Sequence, residues 1–378
     1  MEKNSRGLTE KKVALYLLSQ KGIGLQTVRS FLLHLQNKRI KPEDFRLATA
    51  SFKSKKIVIN KIATLVKNED IDDYVCSFNT QLKASGTSVV YYTDKQYPRL
   101  LKKTQSPPLF LFYRGNLGVL SKECVAVVGA RKCTPYGTMV TKKIVNELVA
   151  DDYCIVSGCM YGVDEVAHRE AVRRGGATVA VLGYGRLHPY PQRMESLLTY
   201  IETHDGLVIG EYPPDTEPLP GFFLARNRVI AGLSRAVVVT EAAQKSGSHT
   251  TALSAAEQGR SVFALPGPIT NPYSDGTKWL VNQGATLVSS GFEISTYLGK
   301  TTQVQKSSEQ NETQNQIQDA VSVPVGAQIE TMLASGPTTT ESLVQHTGRD
   351  IHTVLAQLLK MELDGTLVKD GILWYLNK

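Results

Sequence analysis

The stretch AVVGARKCTPYG, residues 126–137, decides how the rest of the chain reads. An apolar run, Val125 to Val128, ends at Gly129, and Pro135 stands where a helix would open. Strand, turn and helix in that order are the opening of a nucleotide-binding sheet. A dinucleotide loop needs further glycines so that the backbone can approach a pyrophosphate. Here the turn carries Ala130, Arg131 and Lys132 instead. The question is what such a turn holds.

Outward from this stretch, short β-branched runs recur at 124–129, 154–157, 178–182, 207–210, 236–240 and 262–265. Helix-length segments separate most of them, which predicts an α/β fold with an extended Rossmann-like, doubly wound parallel sheet over residues 83–298. Upstream, residues 8–36 carry Val13, Tyr16, Leu17, Ile23, Val28, Leu32 and Leu35 at helical spacing, so residues 1–82 are expected to form a small helical domain. Its Lys21-Gly22-Ile23-Gly24 break fits the turn of a helix-hairpin-helix, whose glycines admit a phosphate, and equally an ordinary turn with a glycine cap. Residues 299–321 are rich in Gln, Ser, Thr and Asn without apolar periodicity and read as a flexible linker. Residues 322–378 pattern as three helices followed by two short strands around Asp370-Gly371, a C-terminal winged-helix domain. The acidic end of its last helix, Glu362 and Asp364, favours docking at least as much as DNA binding.

Composition sets bounds on function. The 378 residues are 42% hydrophobic and 21% charged, as in a soluble globular protein. No apolar run approaches the ~20 residues of a membrane span. The opening MEKNSRGLTEKK lacks a signal core, so a cytoplasmic location without membrane contact is expected. Five cysteines without a CxxC pair read as reduced thiols, neither disulfides nor a metal site. The net charge of +8 is concentrated in residues 1–70, with 15 Lys/Arg against 6 Asp/Glu. Such an excess suits a nucleic-acid footprint and also a merely solvated face.

Loops after successive strands carry the candidate chemistry: Gly129 and Arg131; Ser157-Gly158 in VSGCMYGVDEVAH; Gly183 and Gly185 with Tyr190-Pro191; Arg226, Asn227 and Arg228; Lys245, Ser246, Gly247, Ser248, Thr250 and Thr251; and Pro266-Gly267. The Lys-Ser-Gly-Ser-x-Thr-Thr turn before a helix offers hydroxyls, N–H groups and a cation to an anion, although a serine cap alone would look similar. Taken together on one sheet edge, these loops suit several phosphates. A hydrolase built on Ser157, Asp164 and His168 is disfavoured: Ser157 lacks a G-x-S-x-G elbow, and Asp164 and His168, four apart on a helix, suit a structural pair. No P-loop or magnesium-binding carboxylate set appears, and Glu211 and Glu241 stand alone at strand ends.

In sequence these motifs, from GAR through RNR-x-I-AGLS and SGS-x-TTA to VFALPGP, preceded by YPRLLKKTQSPPLFLFYRGN, strongly resemble the DNA-processing protein A (DprA/Smf) family over about residues 90–290. The resemblance implies a protein that binds single-stranded DNA and has neither catalytic activity nor cofactor. It also implies a homodimer that loads the RecA recombinase during natural transformation, with single-strand-binding protein. Position by position, it makes Arg131 and Lys245 DNA-phosphate contacts. It places Gly129, Ser157-Gly158, Arg226-Asn227-Arg228, Ser246-Gly247-Ser248 and Thr250-Thr251 around the same pocket. The chain departs from the family pattern at Tyr161, Met194, Leu224 and Lys278; Tyr161, where the family has arginine, could stack on a base. A nucleotide-processing enzyme, similar to nucleoside-monophosphate phosphoribohydrolases, is the alternative, but its carboxylate is missing near SGSHTTA, with Glu257 only at a distance. A third reading is a scaffold with a vestigial pocket. On the leading reading AVVGARKCTPYG is one wall of a phosphate pocket reached by Arg131, while Lys132 is left to solvent.

Overall fold

The computed structural model describes residues 9–20, 23–41, 52, 68–300, 325–334, 336–370 and 373–377. Lys21 and Gly22 of the glycine turn, most of the basic stretch before residue 68, the linker beyond Lys300, and Gly371 lie outside the described residues. The chain divides into two units, Met1–Thr302 and Gln303–Lys378.

In the first unit, helices α1 (Glu10–Ser19), α2 (Leu25–Asn37) and α3 (Asn68–Ala84) precede β1 (Ser88–Tyr91), a short α4 (Arg99–Lys102) and β2 (Phe110–Gly115). Strand and helix then alternate: β3 (Cys124–Val128), α5 (Pro135–Ala150), β4 (Cys154–Ser157), α6 (Val163–Arg173), β5 (Thr178–Leu182), α7 (Glu195–Thr203) and β6 (Leu207–Gly210). After them come α8 (Pro220–Leu233), β7 (Ala236–Val239), α9 (Gly247–Glu257), β8 (Ser261–Ala264), α10 (Asp275–Asn282), β9 (Thr286–Leu287) and α11 (Gly291–Tyr297). The nine strands form one sheet in the order β1-β2-β6-β5-β4-β3-β7-β8-β9. It is parallel from β6 to β9, while β1 and β2 are antiparallel at one edge.

Strand periodicity explains the two layers of helices. In β3, Ala126 and Val128 enter a cluster with Val229, Ile230 and Leu233 of α8 and Ala252 and Ala255 of α9. Val125 and Val127 point the other way, onto Ile144, Val145 and Leu148 of α5 and Ala167 and Ala171 of α6. Strands buried on both faces need continuous β-branched runs, and each fully buried Val contributes on the order of 1.5–3 kcal/mol. This is the doubly wound sheet expected from the sequence. The edge strands β1 and β9 and the antiparallel β2 were not anticipated, and the N-terminal helices do not keep a core to themselves. Val13, Leu17, Phe31 and Leu35 share one cluster with Tyr91, Phe110 and Phe112 of β1 and β2.

Topology fixes where a ligand can sit. β3 and β7 are neighbours, but the chain leaves β3 toward β4 and leaves β7 toward β8. Their following loops therefore part, opening a crevice at the carboxyl ends of the strands.

The second unit packs α12 (Val325–Ala334), α13 (Thr340–Thr347) and α14 (Ile351–Leu363) with a sheet ordered β10 (Thr338–Thr339), β12 (Leu373–Leu376), β11 (Leu367–Asp370). Asp350 caps α14, accepting from Thr353 N–H at 2.9 Å. Trp374 is buried against Ile329, Leu343 and Leu358, with its indole N–H donating to Thr340 Oγ1 at 3.0 Å. The expected winged helix is present, with β10 as an added third strand.

Candidate nucleic-acid interface

Five chain segments meet at the crevice: the turns after β3, β4 and β7, the middle of α8, and Tyr273 in the loop after β8. They enclose a pocket of about 440 Å³. Among the residues expected there, Gly129, Arg131, Arg226, Asn227, Lys245, Ser246, Gly247, Ser248 and Thr251 line it. Lys132, Met160, Tyr161, Asp164, Leu224 and Tyr273 line it as well.

The turn after β3 is clamped from two sides. Ala130 N–H donates to Glu241 C=O at 2.7 Å, and Ala130 C=O accepts from Val163 N–H at 3.1 Å. A Cβ on Gly129 would come within 2.7 Å of both Glu241 O and a Val163 methyl. That glycine serves close packing of β3, β7 and α6. Gly162, with φ +77°, caps α6 in a conformation L side chains rarely adopt, and a Cβ there would lie 2.2 Å from Ala130 O. The buried Glu241 carboxylate accepts from Thr134 N–H at 3.0 Å, Thr134 Oγ1 at 2.6 Å and Asn271 Nδ2 at 3.1 Å. Glu241 thereby ties the end of β7 to the start of α5. It is a structural brace with its acceptors engaged.

The clamped turn leaves Arg131 and Lys132 exposed at the mouth, and Lys245 is exposed across the crevice on the turn after β7. Among the described residues none of these three cations makes an ion pair or hydrogen bond, so each is available to an anion. Lys132, which the sequence alone left to solvent, belongs to the pocket lining. Ser246 caps α9, accepting from Ser248 N–H at 3.3 Å, so the positive end of an 11-residue helix faces the pocket. At the floor, Arg226 is only 4% exposed. Its Nη1 donates to Gly158 C=O at 2.7 Å and to Val181 C=O, and its Nε donates to Asn227 Oδ1 at 3.3 Å. Burial pushes the Arg226 guanidinium below its ordinary value, opposed by the nearby Asp164 carboxylate. Burial raises Asp164 in turn, opposed by Arg226. Arg226 is thus a fixed cation that shapes the floor, while the exposed, unpaired charge stands at the rim.

Other expected residues lie elsewhere. Ser157 is fully buried, its hydroxyl donating to Val127 C=O at 2.7 Å, and Gly158 supports Arg226 through its carbonyl, a Cβ there falling 2.6 Å from the guanidinium. Thr250 is half-buried and outside the lining. Arg228 corrects the reading of Arg-Asn-Arg as one pocket motif. It pairs with Glu211, donates to Ser106 C=O at 2.6 Å, and lines a different cleft with Leu15, Leu18, Ile23 and Tyr212. Glu211 is therefore engaged too. Asp164 and His168 do not bond each other: His168 Nδ1 meets Thr178 Oγ1 at 2.7 Å, and Asp164 accepts from Met160 N–H at 3.4 Å. Burial, with Arg226 nearby, pushes His168 down to about 3, so its imidazole is uncharged at neutral pH. Of the departures, Met194 is buried in the core beside Leu197 and Leu198, Leu224 is exposed on the pocket wall, and Lys278 is exposed outside the lining. Glu257 lies exposed in the last turn of α9, away from the pocket.

Residues 88–299 match the family described as DNA recombination-mediator protein A, and residues 320–369 match the DprA winged helix domain. The chain is 44% identical over 201 residues to DNA processing protein DprA of Streptococcus pneumoniae, covering 53% of this chain and 71% of that relative. An X-ray structure of DNA processing protein A from Streptococcus pneumoniae superposes with a TM-score of 0.65 at 34% identity, covering 75% of this chain and 96% of that one. A structure of DNA processing protein A from Helicobacter pylori, described for its single-stranded DNA binding mode, gives a TM-score of 0.51 at 30% identity. It covers 56% of this chain and 95% of that chain.

Proposed function

This chain belongs to the DNA recombination-mediator protein A family, and from that membership and the pocket we propose that it is a single-stranded-DNA-binding recombination mediator without catalytic activity. The observation that carries the reading is the group of unpaired rim cations, Arg131, Lys132 and Lys245, beside the capped start of α9. Three exposed cations along a crevice suit successive phosphates of a strand. Residues 1–82 add basic charge, residues 83–298 carry the pocket, and residues 322–378 dock a partner. In this role the chain works in the cytoplasm as a homodimer, protects incoming DNA, and loads the RecA recombinase onto it during natural transformation, with single-strand-binding protein. The family membership supports these partners.

The enzyme reading loses its chemistry. Among the described residues Asp164 is the one carboxylate lining the pocket, and it is buried beside Arg226. Incubation with AMP should release no adenine. Binding to an oligonucleotide should weaken with salt at a log–log slope near roughly −0.7 per phosphate contacted. A slope near zero, or adenine release, would overturn the proposal.

A further inference from the structure

Exposed cations cannot by themselves tell a single strand from a duplex, since both present phosphates. A single strand differs in offering unpaired bases, which need a flat surface to stack on. The pocket wall supplies one. The turn between β4 and α6 passes through two left-handed residues, Cys159 (φ +53°) and Gly162 (φ +77°). A non-glycine residue there is strained, and such strain concentrates at functional sites. The turn buries Cys159 and leaves Tyr161 38% exposed on the pocket wall. Over the ring, 4.3 Å from its centroid, lies the Arg193 guanidinium. Glu165, in the first turn of α6, accepts from Arg193 Nη2 at 2.6 Å and from Arg169 Nε at 3.0 Å. Arg193 is therefore held over the ring, yet its side chain stays 61% exposed. The exposed Leu224 lines the same pocket. Two flat side chains and an apolar residue thus stay partly exposed beside the rim cations.

We propose that Tyr161 and Arg193 form a stacking plate beside the phosphate pocket that takes one unpaired nucleobase of a bound single strand. The inference rests on the single-strand reading above. Rings and guanidinium planes accept any base, so the plate selects single strands without reading sequence.

The test is equilibrium binding of the full chain, by fluorescence anisotropy, to an oligothymidylate and to an equally long strand of abasic sites. The wild type should prefer the base-bearing strand by roughly five- to a hundred-fold, the span of stacking one base on an aromatic side chain. Tyr161→Ala and Arg193→Ala should each lower that ratio, and Tyr161→Phe, which keeps the ring, should restore it. An unchanged ratio in Tyr161→Ala overturns the plate, as does equal loss on both strands. In either case the single-strand reading stands if Arg131→Glu still weakens binding to both strands by roughly ten- to a hundred-fold. A wild type that binds neither strand overturns that reading and the plate with it.

Discussion

On an α-helix two residues of separation turn a side chain by about 200°, so Arg226 and Arg228 leave α8 on opposite sides. That rule was available from the sequence once the motif was placed on a helix. What it could not supply was the partner of each arginine, which comes from segments distant in the chain: Gly158 and Val181 for one, Ser106 and Glu211 for the other. Arg228→Ala should therefore lower stability by about 2 kcal/mol, somewhat below the cost of opening a fully buried pair, while single-strand affinity changes less than about twofold. Denaturant unfolding and anisotropy on the same variant check both; a large affinity loss would return Arg228 to the pocket. His168 gives a second prediction. Its proton affinity is depressed in the fold, so its contribution is present above the unfolded value near 6.5 and lost as pH falls toward about 3. Thermal unfolding of His168→Asn should show a shallower decline of stability across that window than the wild type. Equal slopes would mean His168 is accessible to protons in the fold.

Elements were legible where burial on both faces forces a continuous apolar run. β4, β5 and β6 have the bounds the sequence suggested, and β3, β7 and β8 shift by a residue. β1 and β2 escaped because their antiparallel pairing joins residues 88–91 to 110–113 across a helix and a long loop, with no hairpin turn to mark it. β9 is two residues long and leaves no periodic trace. The pocket depends on how turns are braced against one another, which a motif does not reveal: Glu241 looked like an isolated acid and proves to be the tie between β7 and α5. The brace at Gly162 is testable. Gly162→Ala places a methyl against Ala130 O at positive φ and should cost about 1–3 kcal/mol. Displacing the Arg131 turn, it should also weaken single-strand binding. Retained affinity together with unchanged stability would mean that the turn after β3 does not depend on α6.

For the whole molecule, charge and function divide between parts. The winged-helix unit turns an exposed Leu363, 88% exposed, with Glu362 and Asp364 beside it, at the end of the helix that would enter a groove. Phosphate is repelled there, so ending the chain after residue 302 should leave single-strand affinity within a few-fold. A larger loss would bring the second unit into the DNA site. The central claim is that the crevice between β3 and β7 holds the phosphates of a single strand through its rim cations. Its most direct test is the salt dependence of binding to a single-stranded oligonucleotide and its duplex, for the wild type, Arg131→Glu and Lys245→Glu. Losing a charged contact of this kind costs roughly ten- to a hundred-fold in affinity. We expect each variant to bind the single strand that much more weakly, with the slope reduced by at least about 0.7. Wild-type affinity and slope in both variants would contradict it.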